Sequence, residues 1–290
     1  MIYYDQELSL QEIESLLFTN EKIALSPKAE KRVESSYQFL KEFSQGKVIY
    51  GINTGFGPMA QYRVSDETLS ELQYNIIRSH ATGAGEPLSD LQVKAAMIAR
   101  LGTLVQGYSG IHLSVLQLLV EFINRGIYPL IPRHGSVGAS GDLVQLAHLG
   151  LTLIGEGKVH YKGEWRDTAG VLKENNLSPV SMFIREGLCI TNGTSVMTGI
   201  GLINAINAKK LLNWSIISSA LVNEVASSYD DFLAGELNGA KRQTGQRRVA
   251  AIMSQILESS RNMQKRTAVL YNKELNGDKI FKQKVQPFYS

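Results

Sequence analysis

The chain has 290 residues, 43% hydrophobic and 20% charged, with a net charge of +3; this is the composition of a soluble globular protein of one large or two ordinary domains. So small a charge gives no argument for a nucleic-acid partner, and a single cysteine, Cys189, excludes an internal disulfide and fits a reducing compartment. Met1 to Glu7 has no secretory pattern and no apolar run approaches the roughly 18 residues of a membrane helix, so a cytoplasmic protein without a membrane partner is expected.

In chain order, residues 8–18 are predicted to form a short amphipathic helix, with Ser9 as N-cap and Glu12 completing a capping box. Ser26-Pro27 opens a second helix, with Pro at the favoured first position. Val33, Tyr37 and Leu40 recur at helical spacing, and the helix ends at Gly46. Val48-Ile49-Tyr50 reads as a short extended piece. The stretch Tyr50 to Met59 carries Gly51, Gly55, Gly57 and Pro58, which regular structure does not favour. It is either an ordered turn that packs its aromatics or a mobile active-site lid. A helix is predicted over 65–80, ending in Arg78-Ser79-His80; His80 either caps that helix or lines a pocket.

Helices are predicted over 89–106 and 111–125, broken at Gly107-Tyr108-Ser109-Gly110, the second apolar on most faces. Pro129 and Pro132 then stop any helix. The stretch Gly135-Ser136-Val137-Gly138-Ala139-Ser140-Gly141-Asp142-Leu143 follows. Because Gly141 lacks a Cβ, its amide nitrogen can approach the carbonyl of Ala139. Closure of that ring with loss of water from Ser140 makes a methylidene-imidazolone, an electrophile built from backbone. The plainer alternative is a glycine-rich loop leading into a helix.

Asp142 stands in the first turn of the next helix, Leu143 to Ile154, where a carboxylate is favoured. His148 within that helix reads as a packed, hydrogen-bonded core residue. Lys158 to Trp165 reads as a hairpin. Glu186 to Ser195 reads as a second Gly/Asn/Thr turn. It leads into a long apolar helix, Ser195 to about Ser228, the spine of a bundle. Residues 240–270 read as a charged helix with an apolar stripe at Val249, Ile252, Ile256 and Met263. There is no long-period repeat, no zinc-ligand spacing, no phosphate loop, no dinucleotide fingerprint and no nucleophile elbow. No metal is expected.

Four ordered motifs together carry a resemblance: Tyr50 to Gly57; Leu72-Gln73-Tyr74-Asn75 with Ser79-His80; Gly135 to Leu143; and Glu186-Gly187-Leu188-Cys189-Ile190-Thr191-Asn192-Gly193-Thr194. The chain resembles, from about residue 8 to 290, the aromatic amino acid ammonia-lyases that carry a methylidene-imidazolone. The resemblance implies a mainly α, helical-bundle architecture of the aspartase-like superfamily with a small N-terminal domain and a short β-hairpin. It divides the chain into 1–190, with the lid loop and the Ala-Ser-Gly motif, and 191–290, the start of the long-helix bundle. It also implies a homotetramer with active sites shared between subunits, acting on a small amino acid with no external cofactor.

The roles implied are ones these residues can bear. Ala139, Ser140 and Gly141 form the electrophile, and Asn192 hydrogen-bonds it and stabilises developing negative charge. Tyr50 removes the substrate β-proton, which a phenol does near neutral pH only in an electropositive, preorganised site. Gly51, Gly55 and Gly57 let its loop close over substrate. Tyr289 matches a second family tyrosine near the ring, with Gln286 beside it. Ser79 and His80 match the pair at the side-chain pocket of histidine lyases, a pair that some bacterial tyrosine lyases share.

Val144-Gln145 stands where histidine lyases usually have Ala-Pro, and Ser195 where they usually have Gln. These departures lean the expectation toward tyrosine, giving p-coumarate; histidine giving urocanate is the alternative, then an aminomutase of the same scaffold, then a non-catalytic helical module. The family's substrate-carboxylate arginine lies just beyond a Tyr-Ser that matches Tyr289-Ser290. The resemblance therefore implies an N-terminal part of a lyase, inactive by itself or in need of a complementing chain.

Overall fold

The structure, a computed structural model, describes residues 1–5, 7–65 and 68–266. The expected site residues Gln286 and Tyr289 lie outside the described residues. The chain divides into two compact units, Met1–Ile206 and Asn207–Ser290. Eleven α-helices dominate the described residues, as expected of a mainly α fold.

The first unit opens with β1 (Ile2–Tyr4), α1 (Leu10–Phe18), β2 (Ile23–Leu25) and α2 (Pro27–Phe43). Ser9 and Glu12 form the expected capping box on α1, and Ser26 accepts from the Ala29 amide ahead of Pro27 on α2. The parallel pairing of β1 with β2 went unforeseen, because three-residue strands carry too little periodicity to be read. Val48-Ile49-Tyr50 forms no strand. A short 3-10 turn covers Gly57–Gln61, and α3 spans Leu69–His80, starting later than the predicted residue 65.

Next come β3 (Ala84–Pro87), α4 (Asp90–Leu104), α5 (Leu113–Arg125), β4 (Tyr128–Pro129), β5 (Pro132–His134) and α6 (Leu143–Leu153). They are followed by β6 (Lys158–Tyr161), β7 (Glu164–Asp167), α7 (Thr168–Glu174), α8 (Glu186–Thr191) and α9 (Ser195–Val225). Ser89 and Gln92 make a second capping box at α4, and Gly126, at φ +65°, ends α5 in the left-handed conformation that glycine adopts at no steric cost. The hairpin β6–β7 forms as predicted and gains β4 as a third strand.

The core is the interior of α4, α5 and α6, with Met97, Ile98, Leu101, Leu116, Leu119, Phe122, Leu146 and Leu149 almost wholly out of water. α3, α6 and α8 pack on one another around it. α9 joins this core through Val196, Ile203 and Ile206, and at Gly199 it touches the backbone of α4. The predicted turn over Glu186–Ser195 is corrected here: its first six residues are the helix α8, all buried, and only Asn192 to Thr194 turn. A half-apolar run of six is too short to read as a helix.

The second unit has its own small core of Ile216, Ala220, Phe232, Met253 and Leu257. It is built with a 3-10 turn (Asp231–Leu233), α10 (Gly235–Gly239) and α11 (Thr244–Leu257). The predicted stripe holds at Val249 and Met263, which pack against this core, and is offset by one position at its two isoleucines. Ala250, Met253 and Leu257 are buried, whereas Ile252 and Ile256 are exposed and Met263 lies past the helix end. Along α9, Leu211, Leu212, Trp214, Leu221 and Val225 all stand exposed.

Gly199 provides a test in which two effects oppose. Replacing a mid-helix glycine by alanine ordinarily stabilises by about 1 kcal/mol. Here the added Cβ would lie 2.5 Å from the Ala96 nitrogen and 2.6 Å from the Ala95 carbonyl carbon, backbone atoms that cannot give way. Overpacking of this kind costs about 1–3 kcal/mol. Gly199→Ala is therefore expected to lower the urea midpoint of the first unit; a raised midpoint would contradict the close α4–α9 approach.

Candidate active site

Strand pairing brings His80 to the Gly135–Leu143 loop. β3 follows His80, β5 precedes Gly135, and the two pair antiparallel with Ala84 opposite His134 and Pro87 opposite Pro132. His80 and the loop consequently line one small cavity of about 90 Å³, with Ala139, Ser140 and Gly141 in its wall. His80 Nδ1 lies 2.9 Å from the Ile76 carbonyl and 3.1 Å from Ser79 Oγ. A carbonyl only accepts, so Nδ1 carries the proton and Nε2 of the neutral ring is left as an acceptor. His80 thus fulfils both of its sequence readings: it caps α3 and it lines a pocket.

The loop is tied from below. Val144 N donates to Ser136 Oγ at 3.0 Å, Ser136 Oγ donates to Gln145 Oε1, and Gln145 Nε2 donates to the Arg133 carbonyl at 3.1 Å. A Cβ on Gly135, at φ +148°, would come within 2.5 Å of the Val144 side chain. Val144 and Gln145 are therefore supports of the loop. Ser195 is likewise buried, its Oγ accepting from Arg100 Nη1 at 3.4 Å. Of the residues in the two departures that leaned toward tyrosine, Gln145 and Ser195 are buried supports, whereas Val144 also lines the cavity that holds His80 and the triad.

The triad itself rests on the Asn192–Gly193 turn. Gly141 pairs in a parallel bridge with Gly193, and Asp142 N donates to the Gly193 carbonyl at 2.7 Å. A Cβ on Gly141, at φ +83°, would stand 2.1 Å from that same oxygen, so only glycine fits. Ala139 and Ser140 are exposed, and among the described residues no backbone hydrogen bond engages the Ser140 or Gly141 nitrogen. The atom that ring closure needs is unengaged, and the residue types suit a group made from the triad.

Asp142 stands at the N-cap of α6, at the helix start where a carboxylate is favoured, but its carboxylate makes no cap bond there. Oδ2 instead accepts from Val196 N and Met197 N, both at 2.9 Å, at the start of α9, where the positive end of a helix favours an anion. Asn192 ends α8, its side chain is exposed, and its amide has no hydrogen bond among the described residues. Beneath the turn lies Arg100, 3% exposed, whose Nη2 donates to the carbonyls of Cys189 and, at 2.8 Å, Asn192. Burial pulls its pKa down to about 10.

Gln73 joins the Tyr50 loop to α8. Its Nε2 donates to the Gly51 carbonyl at 3.1 Å and its Oε1 accepts from Leu188 N at 3.3 Å, with the side chain wholly buried. Within the loop, Asn53 bonds Ile49 N and the Lys47 carbonyl, and Val64 N donates to the Asn53 carbonyl. This is the ordered-turn alternative: Tyr50 stands edge-on to Phe56, centroids 6.1 Å apart, and its Oη accepts from Gly57 N at 3.4 Å. Tyr50 and Gly57 thus meet each other in their own loop, His80 and the triad line one cavity, and Asn192 lines another with Arg100, Tyr108 and Arg185.

At the other end of α8, Glu186 is wholly buried. Its Oε2 accepts from the amides of Phe183, Ile184 and Arg185, and its Oε1 from His112 N. Burial pushes the Cys189 thiol up to about 12, which makes it inert. Arg100 is the residue that sequence reasoning missed. The signal was there, a lone arginine in the apolar run Met97-Ile98-Ala99-Arg100-Leu101, but its partners lie about 90 positions away. A larger cleft of about 640 Å³ in the second unit is lined by Ser215, Ser219, Val249, Met253 and neighbours without a titratable group, and offers no acid–base chemistry. Among the described residues no cluster could hold a metal ion, and no helix is long and apolar enough to cross a membrane.

A family model described as aromatic amino acid lyase matches residues 8–290. The histidine ammonia-lyase of Salmonella arizonae is 38% identical over 252 residues, covering 87% of this chain and 50% of that protein. Among solved structures, the tyrosine aminomutase of Streptomyces globisporus superposes with a TM-score of 0.88 at 31% identity, covering 98% of this chain and 54% of that one. The phenylalanine aminomutase of Pantoea agglomerans gives 0.84 at 32% identity, covering 91% and 51%. The chain spans about half the length of the curated relatives it matches.

His148 gives the site a pH-sensitive support. Its Nε2 accepts from Gly83 N at 3.1 Å, next to β3, and burial lowers its pKa below the usual value. A base whose folded pKa is lowered binds fewer protons folded than unfolded, so stability rises with pH. The contribution is complete above the unfolded value of about 6.5 and is lost as pH falls through it. Between pH 7 and 5, His148→Gln, which keeps an acceptor, is expected to lose less stability than the wild type in urea titrations; an equal loss would contradict this reading.

Proposed function

The chain belongs to the aromatic amino acid lyase family, and from that premise we propose that the protein carrying it eliminates ammonia from an aromatic L-amino acid to leave an α,β-unsaturated acid. The observation that carries the reading is the triad: an unengaged Gly141 nitrogen, held against Gly193 where no Cβ fits, on the turn that Asn192 opens. Ala139, Ser140 and Gly141 would hold the methylidene-imidazolone within the chain itself. That group supplies an electrophilic carbon toward which the substrate amine is drawn and from which it departs as ammonia.

The remaining work falls to side chains. The Asn192 amide donates to an oxygen that gains negative charge, a role worth about 10²–10³ in rate for a single preorganised donor. His80 Nε2, fixed as an acceptor by its Nδ1 bond to Ile76, takes an N–H or O–H from the substrate's ring. Tyr50 takes the β-proton. The Gln73 bridge between Gly51 and Leu188 fixes the base of its loop on the helix that ends at Asn192.

For the substrate we favour histidine, giving urocanate. The curated relatives at 38–42% identity are named histidine ammonia-lyases. Of the residues that leaned toward tyrosine, Gln145 and Ser195 are buried supports of the loop and turn, and Val144 lines the cavity beside His80. Tyrosine remains the second reading, favoured by the structural likeness to a tyrosine aminomutase. The exposed apolar side chains of α9 support assembly into an oligomer that covers them, the homotetramer of the family resemblance.

The full-length gene product, incubated in turn with histidine, tyrosine and phenylalanine, is expected to release ammonia and urocanate from histidine fastest. Ser140→Ala should keep the fold and lower the rate roughly 10³-fold or more, the scale of losing a covalent catalytic group. A β-amino acid product would favour an aminomutase. No ammonia from any of the three, in protein lighter than its sequence by two waters, would overturn the lyase reading.

A further inference from the structure

We propose that Arg100 is the positioning residue of this site: its guanidinium clamps the Asn192–Gly193 turn under the triad and thereby holds Gly141 where its nitrogen can close on Ala139. The clamp stands on geometry alone, whereas its consequence for ring closure rests on the lyase reading. Arg100 sits on α4 with 3% of its surface exposed, amid Met97, Ile98 and Leu101. A buried cation is costly unless its donors are used, and an apolar side chain of that shape would serve the core as well or better. Arg100 has no carboxylate in hydrogen-bond contact; its Nη2 gathers the carbonyls of Cys189 and Asn192 at the negative end of α8, and its Nη1 reaches Ser195 Oγ at the start of α9.

The guanidinium fork therefore joins the end of α8, the turn and the first residue of α9. A planar fork suits this, because Nη1 and Nη2 are separate donor atoms held at a fixed spacing, whereas the three donors of a lysine all leave one nitrogen on a flexible stem. The contact continues upward. A Cβ on Gly193, at φ +149°, would lie 2.4 Å from Arg100 Nη1, so the turn rests directly on the cation. On its other side the Gly193 carbonyl holds Asp142 N at 2.7 Å and leaves no room for a Cβ on Gly141. One residue separates the guanidinium from the triad, and a shift of the first displaces the second. Among the described residues the Nε of Arg100 has no hydrogen-bond partner.

The test compares the wild type with Arg100→Lys, Arg100→Met and the control Arg125→Met, an arginine at the end of α5 that pairs with Glu121 and the Asn175 carbonyl, reading amide hydrogen exchange and the intact mass as a function of time. In both Arg100 variants the amides of Asp142, Val196 and Met197 are expected to exchange about tenfold or more faster, as loss of charge-assisted hydrogen bonds implies. The β6–β7 hairpin should keep its wild-type exchange. The fraction of chain lacking two waters should fall about tenfold at equal times, while Arg125→Met stays within about twofold of wild type on both readouts. Should Arg100→Met fail to fold, Arg100→Lys decides. Wild-type exchange at those three amides in Arg100→Lys, or an increase spread equally over the hairpin, would overturn the clamp. Wild-type water loss in Arg100→Lys would overturn its role in ring closure. A wild type that keeps both waters counts against the lyase reading, and the exchange comparison then still decides the clamp.

Discussion

Between the guanidinium of Arg100 and the backbone of Gly141 lies a single residue, Gly193, and neither glycine has room for a methyl group. This three-layer contact is the constraint from which the geometry of the first unit follows. It demands two glycines at fixed positions, a small turn after α8, and a cation that has left water to meet backbone carbonyls. A carboxylate completes it from above, since Asp142 receives the first amides of α9 while its own nitrogen grips Gly193. Three chain segments far apart in sequence are thereby fixed to one another through polar contacts, most of them to backbone.

The remaining parts of the site are attached to this stack by helices and short strand pairs. α8 carries Asn192 at its last turn and is fastened at its start by Glu186, whose two oxygens take four amides. The buried amide of Gln73 then couples α8 to the Tyr50 loop. On the other side, the β3–β5 pairing delivers His80 to the triad loop, and His148 supports β3 through Gly83. The apolar core of α4, α5 and α6 holds these supports rigid. Loops placed on such a scaffold can be exposed, as Ala139, Ser140 and Asn192 are, without being free to wander.

Much of this was legible in the sequence where signals are local. Capping at Ser9 and Ser26, the hairpin at Lys158, the long helix from Ser195 and the small-residue triad each announce themselves within about ten positions. What stayed hidden depends on distant partners. Asp142 stands at the start of α6, but its carboxylate bonds α9, a choice made only when Gly193 comes alongside. Gln145 and Ser195 differ from the family's usual residues and are buried in the scaffold, whereas Val144 lines the cavity with His80. Arg100 was passed over because nothing near it in sequence says what a cation would meet there. The stripe of α11 was offset by one position at Ile252 and Ile256 because isoleucines outweigh alanine in any hydrophobic pattern, whereas burial follows the neighbouring helix. Gln286 and Tyr289 lie outside the described residues, and their roles stay with the family resemblance.

The account makes the Gly141–Gly193 contact the condition for the triad's chemistry, and the intact mass of Gly193→Ala, with its helical content, tests this most directly. The added methyl meets Arg100 on one side of the turn and leaves every residue of the triad unaltered. The account predicts a folded, helical chain that keeps both waters under conditions in which the wild type loses them. A Gly193→Ala chain that loses both waters as fast as the wild type would contradict it.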